Sequence, residues 1–333
     1  MPTEEPPMSL SSLVKAALLG MALTLAAAPP VLADPPAQRA DQVGGWHRFK
    51  LGGFEVTALY DGYIDLDRKT LLNIEGKTVE SLLRRMFVDY GKGMQTAVNA
   101  YLVHTGTRLV LVDAGTAKAF GPTLGFILAN IKAAGYDPAQ VDTVLLTHLH
   151  PDHAAGLLTA DGTAAFPNAE VWAAKAEADF WLDEAIAAKA PQSAQVFFKM
   201  ARDAVAPYKS AGRFHAFTGQ VGLPAGIAAV DTHGHTPGHT SYLLTSQGQS
   251  LLVLGDLIHN HAVQFARPEA AFEYDSDKAQ AVKTRKAVFA DAARQKLWVA
   301  GAHLPFPGIG HIRAEGKAFA WVPLEYSPLR ADR

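Results

Sequence analysis

From about residue 46 onward, short apolar runs of strand length alternate with amphipathic stretches of helix length. Residues 46–60 alternate apolar and polar positions around Gly52-Gly53 and predict a β-hairpin. Residues 97–104 and 109–113, joined at Thr105-Gly106-Thr107, predict a second hairpin whose later strand is a continuous apolar run, as in a buried strand. Residues 123–134 have helical spacing closed by Gly135, and 141–147 form an apolar strand that runs into a histidine cluster. A strand over 169–173 and helices near 175–189 and 192–205 follow, then short strands at 227–232, 241–245 and 251–254. Ala279, Val282, Phe289 and Ala293 define one apolar helix face that Ser276 or Asp277 can cap, and 297–300 is the last clear internal strand. Strands interleave with helices, no repeat period appears and no linker divides the chain, so 46–333 is expected to be a single α/β domain.

The first residues have a different pattern. Ala16–Ala28 is a 13-residue apolar run, preceded by Lys15 and followed by Pro29-Pro30 and the small-residue site Val31-Leu32-Ala33. It is too short to span a bilayer as a mature helix and has the shape of a secretory signal. Residues 1–33 are therefore expected to be a cleaved signal peptide and 34–45 a flexible segment, which implies a periplasmic or secreted protein. Glu4 and Glu5 are acidic where such a signal is usually basic, and Met8 is an alternative start.

Composition then narrows the chemistry. The chain has 333 residues, 49% hydrophobic and 19% charged, enough to build a large core and too apolar for disorder. Lys+Arg 30 against Asp+Glu 32 leaves a net charge of −2, which gives no support for a nucleic-acid partner. There is no cysteine, so disulfides, thiolate metal sites and cysteine nucleophiles are excluded, while histidine is abundant at 13 residues.

Those histidines cluster. In Thr147-His148-Leu149-His150-Pro151-Asp152-His153, four ligand-type side chains fall within six residues directly after an apolar strand. Alternate residues of an extended segment point the same way, so His148 and His150 can close on one cation. A turn begun at Pro151 would swing Asp152 and His153 toward a second. His233-Gly234-His235-Thr236-Pro237-Gly238-His239, Gly255-Asp256 and Ala302-His303 each end another strand run, so side chains from several strands converge on one crevice. Imidazoles with carboxylates suit zinc above all, with cobalt or manganese as substitutes. The set suffices for two cations roughly 3.5–4 Å apart, with Asp256 able to bridge them.

The H-x-H-x-D-H segment, the G-H-T-P-G-H segment, Asp256 and the late His303 resemble the metallo-β-lactamase superfamily. The resemblance implies a four-layer αββα sandwich with a binuclear metal site at one edge. It also implies that His148, His150 and His235 hold one metal and Asp152, His153 and His303 the other, with Asp256 shared. Asp113 then corresponds to an aspartate that supports a ligand, and His233 and His239 to residues that steady the loop.

Gly121-Pro122-Thr123-Leu124-Gly125, Ala178-Asp179-Phe180-Trp181-Leu182, Ala262-Val263-Gln264-Phe265 and residues 306–313 further resemble the methyl parathion hydrolase family and its lactonase and arylesterase relatives. That resemblance implies an exported, homodimeric dizinc hydrolase acting on a small ester, lactone or phosphotriester. A metal-held hydroxide would attack the carbonyl or phosphoryl centre, and Asp256 and Asp152 would orient it and receive its proton. Phe120, Trp181 and Phe197 correspond to the family's aromatic substrate wall. Leu71, His259, Phe272 and Tyr274 are expected at the pocket edge and differ from the organophosphate-degrading pattern, which favours a flat aryl ester or lactone with promiscuous phosphotriester hydrolysis. The alternatives are a dedicated organophosphate triester hydrolase and, in another class, a non-catalytic periplasmic metal-binding protein. A redox di-iron relative would carry glutamate in place of His150, and a nuclease fits poorly with the net charge.

Overall fold

In a computed structural model of the chain, residues 44–327 are described, together with residues 38, 42 and 329. The signal-peptide and flexible-segment expectations over 1–45 lie almost wholly outside them. No helix among the described residues is long and apolar enough to cross a membrane.

The chain opens with a hairpin, β1 (Trp46–Leu51) against β2 (Phe54–Leu66), turning at Gly52 as the pattern predicts. A two-residue strand β3 (Leu71–Leu72) and a helix over Gly76–Arg85 come next. Then follow β4 (Met94–His104), β5 (Leu109–Val112), β6 (Thr143–Leu145), β7 (Glu170–Ala174) and β8 (Phe214–Phe217). These strands, without β3, make one seven-stranded sheet in the order β1-β2-β4-β5-β6-β7-β8, antiparallel at its start and parallel from β5 onward.

The second half of the chain supplies β9 (Ile227–Asp231), β10 (Thr240–Ser246), β11 (Gln249–Val253), β12 (Ala271–Phe272), β13 (Trp298–Ala300), β14 (Ile309–Glu315) and β15 (Ala318–Pro323). Six of them form a second sheet, β15-β14-β13-β11-β10-β9, and β12 pairs only with β3.

Alternation along the buried strands makes the layers. In β5, Leu109 and Leu111 join the core under the helices of the first half, whereas Val110 and Val112 face the second sheet. In β11, Leu251 and Val253 face the first sheet, whereas Leu252 and Leu254 pack with Phe289 and Ala292 of the helix Lys278–Gln295. The result is helix, sheet, sheet, helix: the αββα sandwich.

Several boundaries move. The helix expected over 123–134 starts only at Ile127, because Gly121 and Gly125 adopt positive φ and keep the preceding stretch a loop. The helix expected over 175–189 breaks after Trp181, and Asp183 caps a new one over Glu184–Lys189 by accepting from Ile186 N. Of the two caps offered for the late helix, Asp277 serves, accepting from Gln280 N. The Gly76–Arg85 helix, the small β3–β12 sheet, β8 and the β14–β15 hairpin have no counterpart in the pattern-based expectation.

Candidate metal centre and pocket

The candidate ligands sit where strands end on one edge of the sandwich. After β6 the chain stays extended through His150 and turns into a single helical turn, Pro151–Ala154, that carries Asp152 and His153. The loop after β9 carries His235, the turn after β11 carries Asp256, and the loop after β13 carries His303. Gly255 has φ of +58°, and a Cβ there would lie 2.5 Å from His239 Nε2, so only glycine fits beside the ring that steadies Asp256.

Two donor sets result. His148, His150, His235 and Asp256 bring one ligand atom each within 4.8 Å of one another, and so do Asp152, His153, Asp256 and His303. Asp256 belongs to both. Its Oδ2 lies 3.6 Å from His148 Nε2 and 3.3 Å from His235 Nε2. Its Oδ1 lies 3.1 Å from both His153 Nε2 and His303 Nε2. Asp152 Oδ2 stands 3.4 Å from those same two nitrogens. His150 turns Nδ1 toward His235 Nε2 at 3.0 Å.

Three of the inward atoms, His148 Nε2, His153 Nε2 and Asp256 Oδ1, are buried without a hydrogen-bond partner. Buried polar atoms are rarely left so, and here they converge on two points surrounded by imidazoles and carboxylates. The donor set therefore fits a pair of divalent cations.

Burial and charge set the state of each group. Burial alone would raise the carboxyl of Asp256, but His153, His303 and His148 outweigh it and hold it well below the usual carboxylate range. Burial opposes the charged form of His303, yet Asp256 and Asp152 push this histidine up to about 10. Burial and neighbouring His235 hold His150 down to about 3, in the neutral form that binds metal.

The supports behind the ligands are equally defined. Asp113, in the left-handed region at φ 61°, accepts from Thr147 N at 2.8 Å and pairs with His153 Nδ1 at 2.9 Å. His303 Nδ1 meets Ala97 O at 2.8 Å, and its loop is pinned by Asn99 Nδ2 and Tyr101 OH donating to Gly301 O. His239 Nε2 accepts from Asp256 N at 2.9 Å. His233 does not join this network: it is exposed, and its ring pairs with Asp231 instead. The dipeptide Gly234-His235 turns between them, so adjacent histidines face opposite ways.

Residues that sequence reasoning did not single out complete the support. Glu177, fully buried, accepts from Leu149 N, Thr236 Oγ1 and Gly238 N at 2.7–3.0 Å, tying the two histidine loops together. Asp275 pairs with His235 Nδ1 at 2.9 Å. Asp61 accepts from Thr116 N and Ile127 N, anchoring both ends of the loop that carries Phe120. These partners lie 28 to 66 residues apart in sequence, and no local motif marks such a pairing.

A cavity of about 130 Å³ opens onto the donor atoms and is lined by Ile64, Leu66, Val98, Phe120, Leu124, Phe197, Phe272 and Tyr274, with His150, Asp152, Asp256, His235, His259 and His303 at its floor. Phe120, Phe197, His259, Phe272 and Tyr274 thus line it as expected from the sequence. Two other expectations are corrected. Leu71 is buried in the cluster with Val79, Leu83, Met94 and its cross-strand partner Phe272, and does not line the cavity. Trp181 lies behind His150, edge-on with ring centroids 5.0 Å apart, and packs on Phe198. His259 donates from Nε2 to Asp256 Oδ2 at 3.1 Å and stacks on Phe272 at 3.9 Å, so it braces the shared carboxylate as well as lining the cavity.

Against known proteins, residues 93–297 match the family model of the metallo-β-lactamase superfamily. The chain belongs to that superfamily. Among solved structures, hydrolase AbOPH of the β-lactamase superfamily is 42% identical, with a TM-score of 0.83 over 86% of this chain and all of its own. AidC, a dizinc quorum-quenching lactonase solved with the product N-hexanoyl-L-homoserine, is 26% identical with a TM-score of 0.79 over the same share. A further N-acyl homoserine lactone hydrolase, 19% identical over 78% of this chain and all of its own, with a TM-score of 0.55, shares the fold. No curated protein sequence matches the chain. Like its superfamily neighbours, the protein is a metal-dependent hydrolase of small molecules, and its two donor sets make a binuclear site.

Proposed function

We propose that the protein is a dizinc hydrolase of lactones and aryl esters that also accepts methyl phosphotriesters of the methyl parathion type. The observation that carries this reading is the cavity itself: an apolar, largely aromatic chamber whose floor is made of both donor sets at once. Flat acyl or aryl groups suit such walls, since phenyl rings stack on them and lose water on entry. The lactonase AidC, similar over most of this chain, supports the lactone side and the choice of zinc.

Two bound divalent cations would supply a Lewis acid for the acceptor oxygen and a water of lowered pKa. The chain's own residues do the rest. Asp256 holds both donor sets in register through its two oxygens. Asp152 lies on the cavity floor with a quarter of its side chain exposed. Burial would raise its carboxyl, but His153 and His303 hold it well below the usual range, so it stays ionised, the form that ligates a cation and accepts a hydrogen bond from water. A phenolate leaves without strong acid assistance, whereas the alkoxide released when an aliphatic lactone opens must be protonated as it leaves.

A kcat/KM panel on zinc-loaded protein tests the reading: an aryl lactone, p-nitrophenyl acetate and a methyl phosphotriester. The first two should lead; a phosphotriester preference of about a hundredfold, equivalent to about 2.7 kcal/mol, would make it a dedicated organophosphate hydrolase instead. Tight zinc binding with no turnover of any of them would favour a non-catalytic metal-binding protein. We also infer export, with cleavage near Ala33, and a homodimer. N-terminal sequencing of protein secreted by its host and the solution mass test these, and an intact Met1 or Met8 would refute the cleavage.

A further inference from the structure

One buried carboxylate touches both the metal centre and the substrate wall. Asp275 Oδ1 pairs with His235 Nδ1 at 2.9 Å, while its Oδ2 accepts from Phe272 N at 2.8 Å. Phe272 stacks on His259, and His259 donates to Asp256, the carboxylate both donor sets share. The chain from His235 through Asp275, Phe272 and His259 thus returns to the metal site, as a closed loop of contacts. Ser276 N and Asp277 N add backbone bonds to His235 O and Gly234 O at 2.8 and 2.9 Å.

The carboxylate is costly to keep. Its side chain is wholly buried, and an ion in that position survives only with donors around it. Arg285, itself buried, stands 3.8 Å from Asp275 Oδ2. Its other donors go to Leu257 O, in the turn after β11, and to Pro268 O and Ala270 O, in the segment that leads into β12. A carbonyl serves His303 on its far nitrogen, and Asp113 serves His153 with a carboxylate whose other bonds go to Thr147. Asp275 differs from both in that its other oxygen grips the pocket wall.

We propose that Asp275 is a positioning residue that couples the aromatic wall at Phe272 to His235, so that filling the pocket and retaining a cation at the His148, His150, His235 and Asp256 set strengthen one another. This rests on the binuclear-site reading. Coupling of this kind is reciprocal: a ligand that seats Phe272 tightens that cation by the factor by which the cation tightens the ligand.

The test is zinc affinity by chelator competition, at equilibrium, with and without toluene, an aromatic pocket probe that carries no metal-binding group. Wild-type protein should take up two equivalents, and toluene should tighten one of them. Asp275→Asn should weaken one equivalent by about 10- to 100-fold, leave the other within about twofold and abolish the toluene effect. Phe272→Leu keeps the backbone bond to Asp275 but loses the ring. It should lose the probe effect, whatever its zinc affinity without the probe. Asp275→Asn protein that holds both equivalents at wild-type affinity, or a Phe272→Leu protein that keeps the probe effect, overturns the coupling while leaving the binuclear reading intact. Equal weakening of both equivalents in Asp275→Asn makes the residue merely structural and also overturns it. Wild-type protein that binds no zinc overturns both.

Discussion

At the floor of the cavity, ligands are tied from behind: His153 to Asp113, His235 to Asp275, His303 to Ala97 O, and Asp256 to both His239 and His259. At its walls, Phe120, Phe197 and Tyr274 rely on packing, and Tyr274 is nearly half exposed. The difference follows from what each region must do. Metal ligation demands fixed nitrogen and oxygen positions, which only directional bonds to buried partners supply. A pocket that admits flat acyl or aryl groups of varied outline needs shape and dryness, which apolar contacts provide with room to adjust.

That contrast can be broken most severely at the floor. Chelation should abolish hydrolysis, with recovery on adding zinc, cobalt or manganese, and Asp256→Asn should lower kcat/KM by about 10³-fold without a matching loss of fold, seen by circular dichroism. Activity indifferent to chelation would end the comparison. Next comes the frame beneath the floor. Glu177→Ala strands two backbone N–H groups and a hydroxyl in the interior and should cost about 3–5 kcal/mol in urea unfolding. Glu177→Gln, which keeps an acceptor oxygen, should cost less.

Behind the wall, Leu71→Arg should behave as a core substitution, destabilising by about 3 kcal/mol with little change in substrate ranking, because Leu71 faces Val79, Leu83 and Met94. A shift toward the phosphotriester with stability unchanged would place Leu71 in the pocket after all. The smallest effect belongs to the rim: Tyr274→Ala should raise KM for aryl esters by about fivefold, roughly 1 kcal/mol, with kcat nearly constant in steady-state assays.

How much was legible beforehand follows the same divide. The strand ends that bear ligands were visible because metal chemistry concentrates rare residue types at short spacing: His148, His150, Asp152 and His153 lie within one turn of chain. The walls were harder to place. Phe120, Phe197 and Tyr274 are ordinary aromatic residues whose pocket position depends on loops anchored far away, as Asp61 anchors the loop of Phe120. Leu71 and Trp181 show the limit. Both belong to neighbouring packing clusters, Leu71 with Val79, Leu83 and Met94 and Trp181 against His150 and Phe198, and neither lines the cavity.

The sequence by itself determined the alternation of strands and helices and the chemical identity of the centre. These depend on periodicity and on residue type, which are local properties of the chain. Tertiary structure alone decided which oxygen of Asp256 serves which donor set, and that His239 turns inward while His233 turns out. It also decided that Glu177, Asp275 and Arg285 belong to the site at all. Such roles are set by the angle and depth at which distant strands meet, and a buried carboxylate carries no mark in the sequence of the donors that will surround it.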